Sequence, residues 1–327
     1  MSSDPNPWTT STSYSALVPL ATHALSLYVL GPPNALKASL PSVVLEAGAG
    51  ASSYGLIALA RSISTFARVF IYDRAGLGLS EPFPDGIEST SLQHVRTLRE
   101  VLRVTGVEPP FVLCGHSYGG NLMRLFAEEH PADVMALVLV DAVPVVPEKP
   151  VGRLLGMLLG EGEYLAAVGL DGKSRLTLEE QKREKEMDAV GEESGAVFKE
   201  IRQIRAGVEE VNQRQGVSFV DGKLVCSRQS LGSKRVCIVS GGLRQDFKNI
   251  YEYAVEKRNA SEEVREEMRA FLEEWKEERF EQLQKAMVGL SSNARFVQFE
   301  GDGRTHMLVA TVPDEIAELV KWAVGLE

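Results

Sequence analysis

The chain has 327 residues, of which 44% are hydrophobic and 24% are charged, and its formal net charge is −10. This length and composition predict one large domain, or one domain with an insertion, built around a sizeable core. The acidic balance and the lack of a Lys/Arg-rich tract argue against nucleic acid and anionic membrane surfaces as partners.

Targeting signals and cysteine usage give a second set of expectations. The polar N-terminus, MSSDPNPWTTSTSY, does not resemble a secretory signal, and no run approaches the roughly 18 apolar residues of a membrane span. Cys114, Cys226 and Cys237 are odd in number and lack CxxC spacing. We therefore expect a reduced, cytoplasmic compartment, with no disulfide framework and no metal site. No oligomeric state is predicted.

Short apolar runs alternate with helical patterns along much of the chain. Strand-like runs fall at 23–30, 42–48, 69–73, 111–114, 136–142, 235–241 and 294–301. Helical spacing falls at 55–67, 91–105, 121–130 and 313–324. Strands that alternate with helices of this length predict an α/β fold, in which a parallel sheet is covered by helices on both faces.

The alternation stops over 147–231, a stretch that is rich in Glu, Lys and Arg and has helical patterns only. A second charged helical stretch covers 261–287. We therefore predict a sheet-forming core of 14–146 and 232–327, a helical insertion over 147–231 that acts as a lid, and a loose N-terminal arm over 1–13.

A G-x-S-x-G pattern lies within LCGHSYGG (113–120), between a predicted strand and a predicted helix. In that context a sharp turn lifts Ser117 above the carboxyl edge of the sheet, while Gly115 and Gly119 let the strand and helix approach closely. The first amides of the helix favour negative charge at this point. The alternative is a glycine-rich turn that contains a serine by chance, but both flanks favour a nucleophile.

A serine hydroxyl needs a general base to become a good nucleophile. His306 follows the last predicted strand in the loop EGDGRTHM, which places it at the same sheet edge as Ser117. We predict His306 as the base. His116, inside the turn, is expected to point away from the serine. The other histidines fit structural, capping or surface roles: His23, His94 and His130.

The segment EAGAG (46–50) follows an earlier strand and is a candidate oxyanion loop. Its small residues allow a backbone N–H to approach a tetrahedral oxyanion, and we predict the amides of Ala49 and Tyr118 as the two donors. The rival interpretation is a dinucleotide-binding loop. Residues 48–53, GAGASS, lack the third glycine that this fingerprint requires.

These motifs together resemble the α/β-hydrolase superfamily. The resemblance rests on VVLEAGAGASS, YDRAGLGLSEP, VLCGHSYGGNLMRLFAEEHPADVMALVLVDA and ARFVQFEGDGRTHM, and it covers most of 42–142 and 235–324. It implies a mostly parallel, eight-stranded type of sheet with a helical cap where 147–231 stands. It also implies chemistry that needs no cofactor. Two departures are Ala47-Gly48, where members commonly have His-Gly, and GRTHM, where the usual motif is Gly/Ser-Gly-His.

The resemblance further implies an acid that orients the histidine. In most members the acid follows the strand that here reads VCIVSG, and the nearest carboxylate is Asp246, which stands further away than the usual spacing. Other members carry the acid after the preceding strand, where this chain has Asp141 in LVLVDA. We favour Asp141 and keep Asp246 as the alternative, while a turn-capping role fits either one.

The combined prediction is a serine hydrolase of esterase type that acts on a small molecule. A serine at the elbow argues against epoxide hydrolase or dehalogenase chemistry, which the resemblance associates with aspartate at that position. The apolar segment 154–170 favours a hydrophobic substrate, although core packing explains it equally well. The alternative function is that of a lyase or a ligand-binding receptor that uses the same pocket.

Overall fold

A mixed eight-stranded sheet forms the centre of the protein in a computed structural model, which describes residues 5–34, 40–148, 151–159, 163–257 and 259–326. Its strands are β1 (Ser13–Pro19), β2 (Ala24–Leu30), β3 (Ser42–Glu46), β4 (Val69–Tyr72), β5 (Phe111–His116), β6 (Val134–Val140), β9 (Arg235–Ser240) and β10 (Asn293–Gln298). A separate hairpin joins β7 (Val217–Val220) to β8 (Lys223–Cys226). The spatial order is β1-β2-β4-β3-β5-β6-β9-β10, and all strand pairs from β4 to β10 are parallel.

Thirteen helical segments lie in the described ranges. They are α1 (Pro7–Thr10), α2 (Ile57–Ser64), α3 (Ser91–Val104), α4 (Tyr118–Glu129), α5 (Val151–Leu158), α6 (Tyr164–Ala167), α7 (Leu178–Glu193), α8 (Ala196–Gln215), α9 (Leu243–Lys257), α10 (Glu262–Glu274), α11 (Glu277–Ala286), α12 (Leu308–Thr311) and α13 (Pro313–Val324). Short 3₁₀ turns at Ser53–Leu56, Met287–Leu290 and Gly301–Gly303 complete the described elements.

Both faces of the sheet are buried, as the sequence predicts. Along β5, Phe111 and Leu113 join the hydrophobic cluster that holds α3 and α4, while Val112 and Cys114 join the cluster that holds α2 and α13. Alternate residues of a strand point to opposite faces, so a strand that is apolar throughout must be covered twice. The α/β fold class is confirmed, and every predicted strand is present within three residues of its expected bounds.

A third hydrophobic cluster lies outside the sheet layers. It joins α5 and α6 to α9, α10 and α11 through side chains such as Leu158, Ile250 and Phe271. The helical layer thus extends beyond the predicted insertion, 147–231. Most of the described apolar residues of 154–170 contribute to this cluster, although Met157 is exposed, while 160–162 lie outside the described residues.

Two predicted segments differ from the structure, and one strand was not predicted. The described part of the predicted loose arm, 5–13, contains α1, whose Trp8 is buried and accepts hydrogen bonds from Arg68, and the start of β1. β1 is not among the predicted strands; it contains the apolar residues 16–19, but it is an edge strand with mostly exposed side chains. The predicted helix over 261–287 breaks into two at Trp275, whose ring packs against Phe271 and Phe280.

A buried arginine connects helix α8 to the sheet. The guanidinium of Arg74 donates to Glu46 at the end of β3 (2.6 Å) and to Glu200 on α8 (2.6 Å), and all three side chains are at most 2% exposed. It also donates to the carbonyls of Ala47 (3.0 Å) and Gly48 (2.6 Å). One buried cation therefore fixes both the loop after β3 and the position of α8.

Replacing this arginine should destabilise the fold strongly. Arg74→Ala leaves two buried carboxylates without their counter-charge, which costs about 3–5 kcal/mol in the free energy of unfolding. Urea denaturation measures this loss. Arg103→Ala is the control, because Arg103 forms a comparable two-bond pair with Glu100 on an exposed surface, where such pairs contribute little. Equal effects of the two variants would contradict the role given to Arg74.

Candidate active site

The serine at the end of β5 stands in a strained turn. Ser117 has φ 55° and ψ −124°, a conformation that non-glycine residues rarely adopt and that costs about 1–3 kcal/mol. A Cβ on Gly115 would lie 2.4 Å from the carbonyl oxygen of Gly119, and a Cβ on Gly119 would lie 2.5 Å from that of Ala47. Glycine at both positions therefore lets strand and helix close around the serine.

His306 lies directly beside this serine. Its Nε2 is 2.9 Å from Ser117 Oγ, and its Nδ1 is 2.8 Å from an oxygen of Asp141. An ionised carboxylate only accepts hydrogen bonds, so Nδ1 carries the ring proton and Nε2 is free to accept the hydroxyl proton. The three side chains form one continuous hydrogen-bonded chain.

Asp141 is held from three further sides. It follows β6 with a φ of 47° and accepts hydrogen bonds from the amides of Gly241 (3.0 Å) and Leu243 (3.2 Å), and from the side chain of Gln284 (2.8 Å). Burial opposes its ionisation, but the hydrogen bond to His306 and these donors outweigh burial and leave the pKa of Asp141 below its ordinary value. Asp141 is thus ionised and fixed in place.

Asp246, the alternative acid, contacts the backbone of the histidine instead of its ring. One carboxylate oxygen accepts from the His306 amide (2.8 Å) and from the Thr305 hydroxyl (2.8 Å). Burial raises the pKa of Asp246 to about 6. The structure therefore brings both predicted acids to His306, with Asp141 on the imidazole and Asp246 on the main chain.

His116 also contacts the histidine loop, a role that the sequence did not predict. Its Nε2 lies 2.7 Å from the carbonyl oxygen of His306, and the two rings are 4.6 Å apart. Burial lowers the pKa of His116 to about 3, so the ring is neutral, and Nε2 must carry the hydrogen because a carbonyl only accepts. Gln284 was missed as well, because it comes from a charged helix far along the chain.

The two predicted oxyanion donors both border the serine. Ala49 lies on the wall of the cavity at Ser117, and a Cβ on Gly48 would approach the Ser117 Cβ to 3.3 Å. Tyr118 is the first residue of α4, and its amide belongs to the first helical turn, where N–H groups lack intrahelical partners. Arg74 holds the loop of Ala49 through the two preceding carbonyls.

A cavity of about 350 Å³ opens at Ser117 and His306. Much of its wall is apolar: Ala47, Ala49, Ala51, Leu56, Met307 and Val309. Two carboxylates of α7, Glu184 and Asp188, line it from the insertion. Nowhere in the described ranges do three His, Cys, Asp or Glu side chains converge as a metal site requires.

The two carboxylates of α7 differ in their partners. Asp188 accepts a hydrogen bond from the Ser52 amide (2.8 Å) and so ties α7 to the turn after the candidate oxyanion loop. Glu184 makes no hydrogen bond or ion pair with the described residues. Burial, together with the neighbouring charge of Asp188, raises the pKa of Glu184 to about 7.

The chain belongs to the α/β-hydrolase fold family. The model of that family, described as alpha/beta hydrolase fold, matches residues 41–223. An AB hydrolase superfamily protein of Gibberella zeae is 28% identical over 92% of this chain and 91% of its own length. A protein of Hormonema carpetanum named a probable transporter, efuK, is 26% identical over 98% of this chain, which spans only 44% of that longer protein.

Solved structures agree with this assignment at the level of the fold. A hydrolase from Pseudomonas aeruginosa superposes with a TM-score of 0.58 at 15% identity, over 96% of this chain and 99% of that chain. In the part of the chain that the structure describes, no helix is both long and apolar enough to cross a membrane.

The raised pKa of Glu184 predicts a pH-dependent cost to stability. A carboxyl whose pKa rises on folding favours the folded state at low pH, and this contribution is lost as the pH rises through about 7. Glu184→Gln should therefore raise the melting temperature relative to the native protein more at pH 8.5 than at pH 5. Glu186→Gln, on the exposed side of the same helix, is the charge-matched control. If the melting temperatures of both variants, relative to the native protein, change with pH by the same amount, the raised pKa does not belong to Glu184.

Proposed function

We propose that the protein is a serine hydrolase that cleaves an ester or related acyl bond of a small, hydrophobic substrate through an acyl-enzyme. The observation that carries this proposal is the hydrogen-bonded chain from Ser117 Oγ through His306 to Asp141, with distances of 2.9 and 2.8 Å. Ser117 and His306 line a cavity, while Asp141 is buried behind them, which supports a role in chemistry.

In the first half of the reaction, Ser117 Oγ attacks the acyl carbonyl as its proton passes to His306 Nε2. Asp141 stabilises the imidazolium that forms and keeps the ring oriented. The amides of Ala49 and Tyr118 stabilise the oxyanion, and their alignment depends on the loop that Arg74 holds. The imidazolium then protonates the leaving group, and the acyl group remains on Ser117.

In the second half, water takes the place of the leaving group. His306 accepts a proton from the water as its oxygen attacks the acyl carbon, and the bond to Ser117 Oγ breaks as the serine regains its proton. The acid leaves the cavity, and the enzyme returns to its starting state. Every proton and bond is accounted for by these side chains and water.

The cavity supports a compact substrate. Its volume of about 350 Å³ is at the lower end of the range for small-molecule sites, and its wall near the serine is formed by alanines, Leu56 and Val309. A short acyl chain or a small ring fits such a surface. Rates on p-nitrophenyl esters of rising chain length should therefore peak at short chains and then fall.

The two acids provide the sharpest test of the proposed mechanism. Asp141→Asn should lower kcat for a short p-nitrophenyl ester by roughly 10⁴-fold, because an amide no longer fixes the tautomer of His306. Asp246→Asn should lower it far less, because the amide oxygen still accepts the His306 N–H. Steady-state kinetics of both variants, with circular dichroism to verify folding, measures the contrast. Comparable losses in the two folded variants would contradict the assignment of Asp141.

A further inference from the structure

The wall of the catalytic cavity opposite the apolar patch is acidic. Glu184 and Asp188 lie one turn apart on α7 and both face the cavity that contains Ser117 and His306. No lysine or arginine is among the described residues that line this cavity. The negative charge at this wall therefore lacks a counter-charge from the cavity lining itself.

Glu184 in particular is placed as a binding group without a partner. Its carboxylate packs against Gly55, with Oε1 2.7 Å from the point where a Cβ on that glycine would stand. Asp188 is committed to the Ser52 amide, whereas Glu184 has no hydrogen-bond donor among the described residues. Glu184 is half-buried, and removing a carboxylate from water without a donor is costly, so burial raises its pKa.

The hydroxyl of Ser52, on the same wall of the cavity, is a second feature that indicates a ligand. Ser52 is 1% exposed and lines the cavity; its hydroxyl lies beside Asp188 but outside good hydrogen-bond geometry, and it has no other partner among the described residues. Buried hydroxyls nearly always have a partner. The Ser52 hydroxyl oxygen and the unpaired carboxylate of Glu184 line the same cavity, and both favour a positively charged ligand.

We infer that Glu184, supported by Asp188 and the Ser52 hydroxyl, forms a subsite for a cationic amine on the substrate. The inference rests on the proposed function, because the subsite shares its cavity with Ser117. The substrate class is then a small ester that is apolar near its scissile bond and carries a protonated or quaternary amine at its far end. A cation supplies the counter-charge that the cavity lining lacks, whereas an anionic substrate meets two carboxylates.

Pairs of esters that differ only in charge test this subsite. Acetylcholine and 3,3-dimethylbutyl acetate carry the difference on the alcohol. The p-nitrophenyl esters of 4-(trimethylammonio)butanoic and 5,5-dimethylhexanoic acid carry it on the acyl group. For at least one pair, kcat/KM should favour the cationic ester by about tenfold, and Glu184→Gln should reduce this ratio to near one.

Glu186→Gln is the matched control, because it removes the same charge from the same helix at a residue that pairs with Lys182 and Arg183 on the exposed side. This variant should keep the full preference of the native protein. Provided that the esters are hydrolysed, the inference is overturned if neither pair shows a preference for the cation, if the preference survives in Glu184→Gln, or if both variants lose it equally.

A binding measurement separates failure of this inference from failure of the proposed function. Choline and 3,3-dimethylbutanol are titrated calorimetrically into the native protein and into Glu184→Gln. If no ester is hydrolysed but choline binds more tightly than its neutral isostere only when Glu184 is present, the subsite stands and the hydrolase proposal fails. If esters are hydrolysed and neither kinetics nor binding favours the cation, the subsite is wrong and the hydrolase proposal stands.

Discussion

The turn at Ser117 is the constraint on which the rest of the site depends. β5 must pass into α4 within one residue, and the left-handed conformation of Ser117 is the means by which it does so. This strain persists because Gly115 and Gly119 let the surrounding backbone pack closely enough to enforce it. A turn held in this way places one hydroxyl above the edge of the sheet. The loops that follow β3, β6, β9 and β10 begin at the same edge.

The loop after β3 and helix α8 are fixed by a different device, a buried arginine between two carboxylates. Arg74 joins Glu46 of the sheet to Glu200 of α8, and it holds the carbonyls on the near side of the oxyanion loop. Glu200 in turn accepts a hydrogen bond from the Gly50 amide at 2.7 Å. The geometry of the loop over Ser117 is therefore coupled to the position of α8, which packs against α7, the helix that carries Glu184.

The sequence was informative where local patterns determine structure. An apolar strand followed by G-x-S-x-G marks the elbow, and the loop after the last strand marks His306, because the carboxyl ends of parallel strands meet at one edge. The choice between Asp141 and Asp246 depended on angles and distances within that edge, which spacing along the chain does not encode. Contacts across long separations, such as Gln284 with Asp141 or Glu184 with the cavity, have no local signature at all.

The most direct test of the central claim is the site of covalent labelling. The native protein is incubated with a fluorophosphonate and digested, and the modified residue is located by mass spectrometry. The account predicts a single adduct on Ser117, which is lost in Ser117→Ala and forms much more slowly in Asp141→Asn. A folded native protein that remains unlabelled, or an adduct on a different residue such as Ser52, would contradict it.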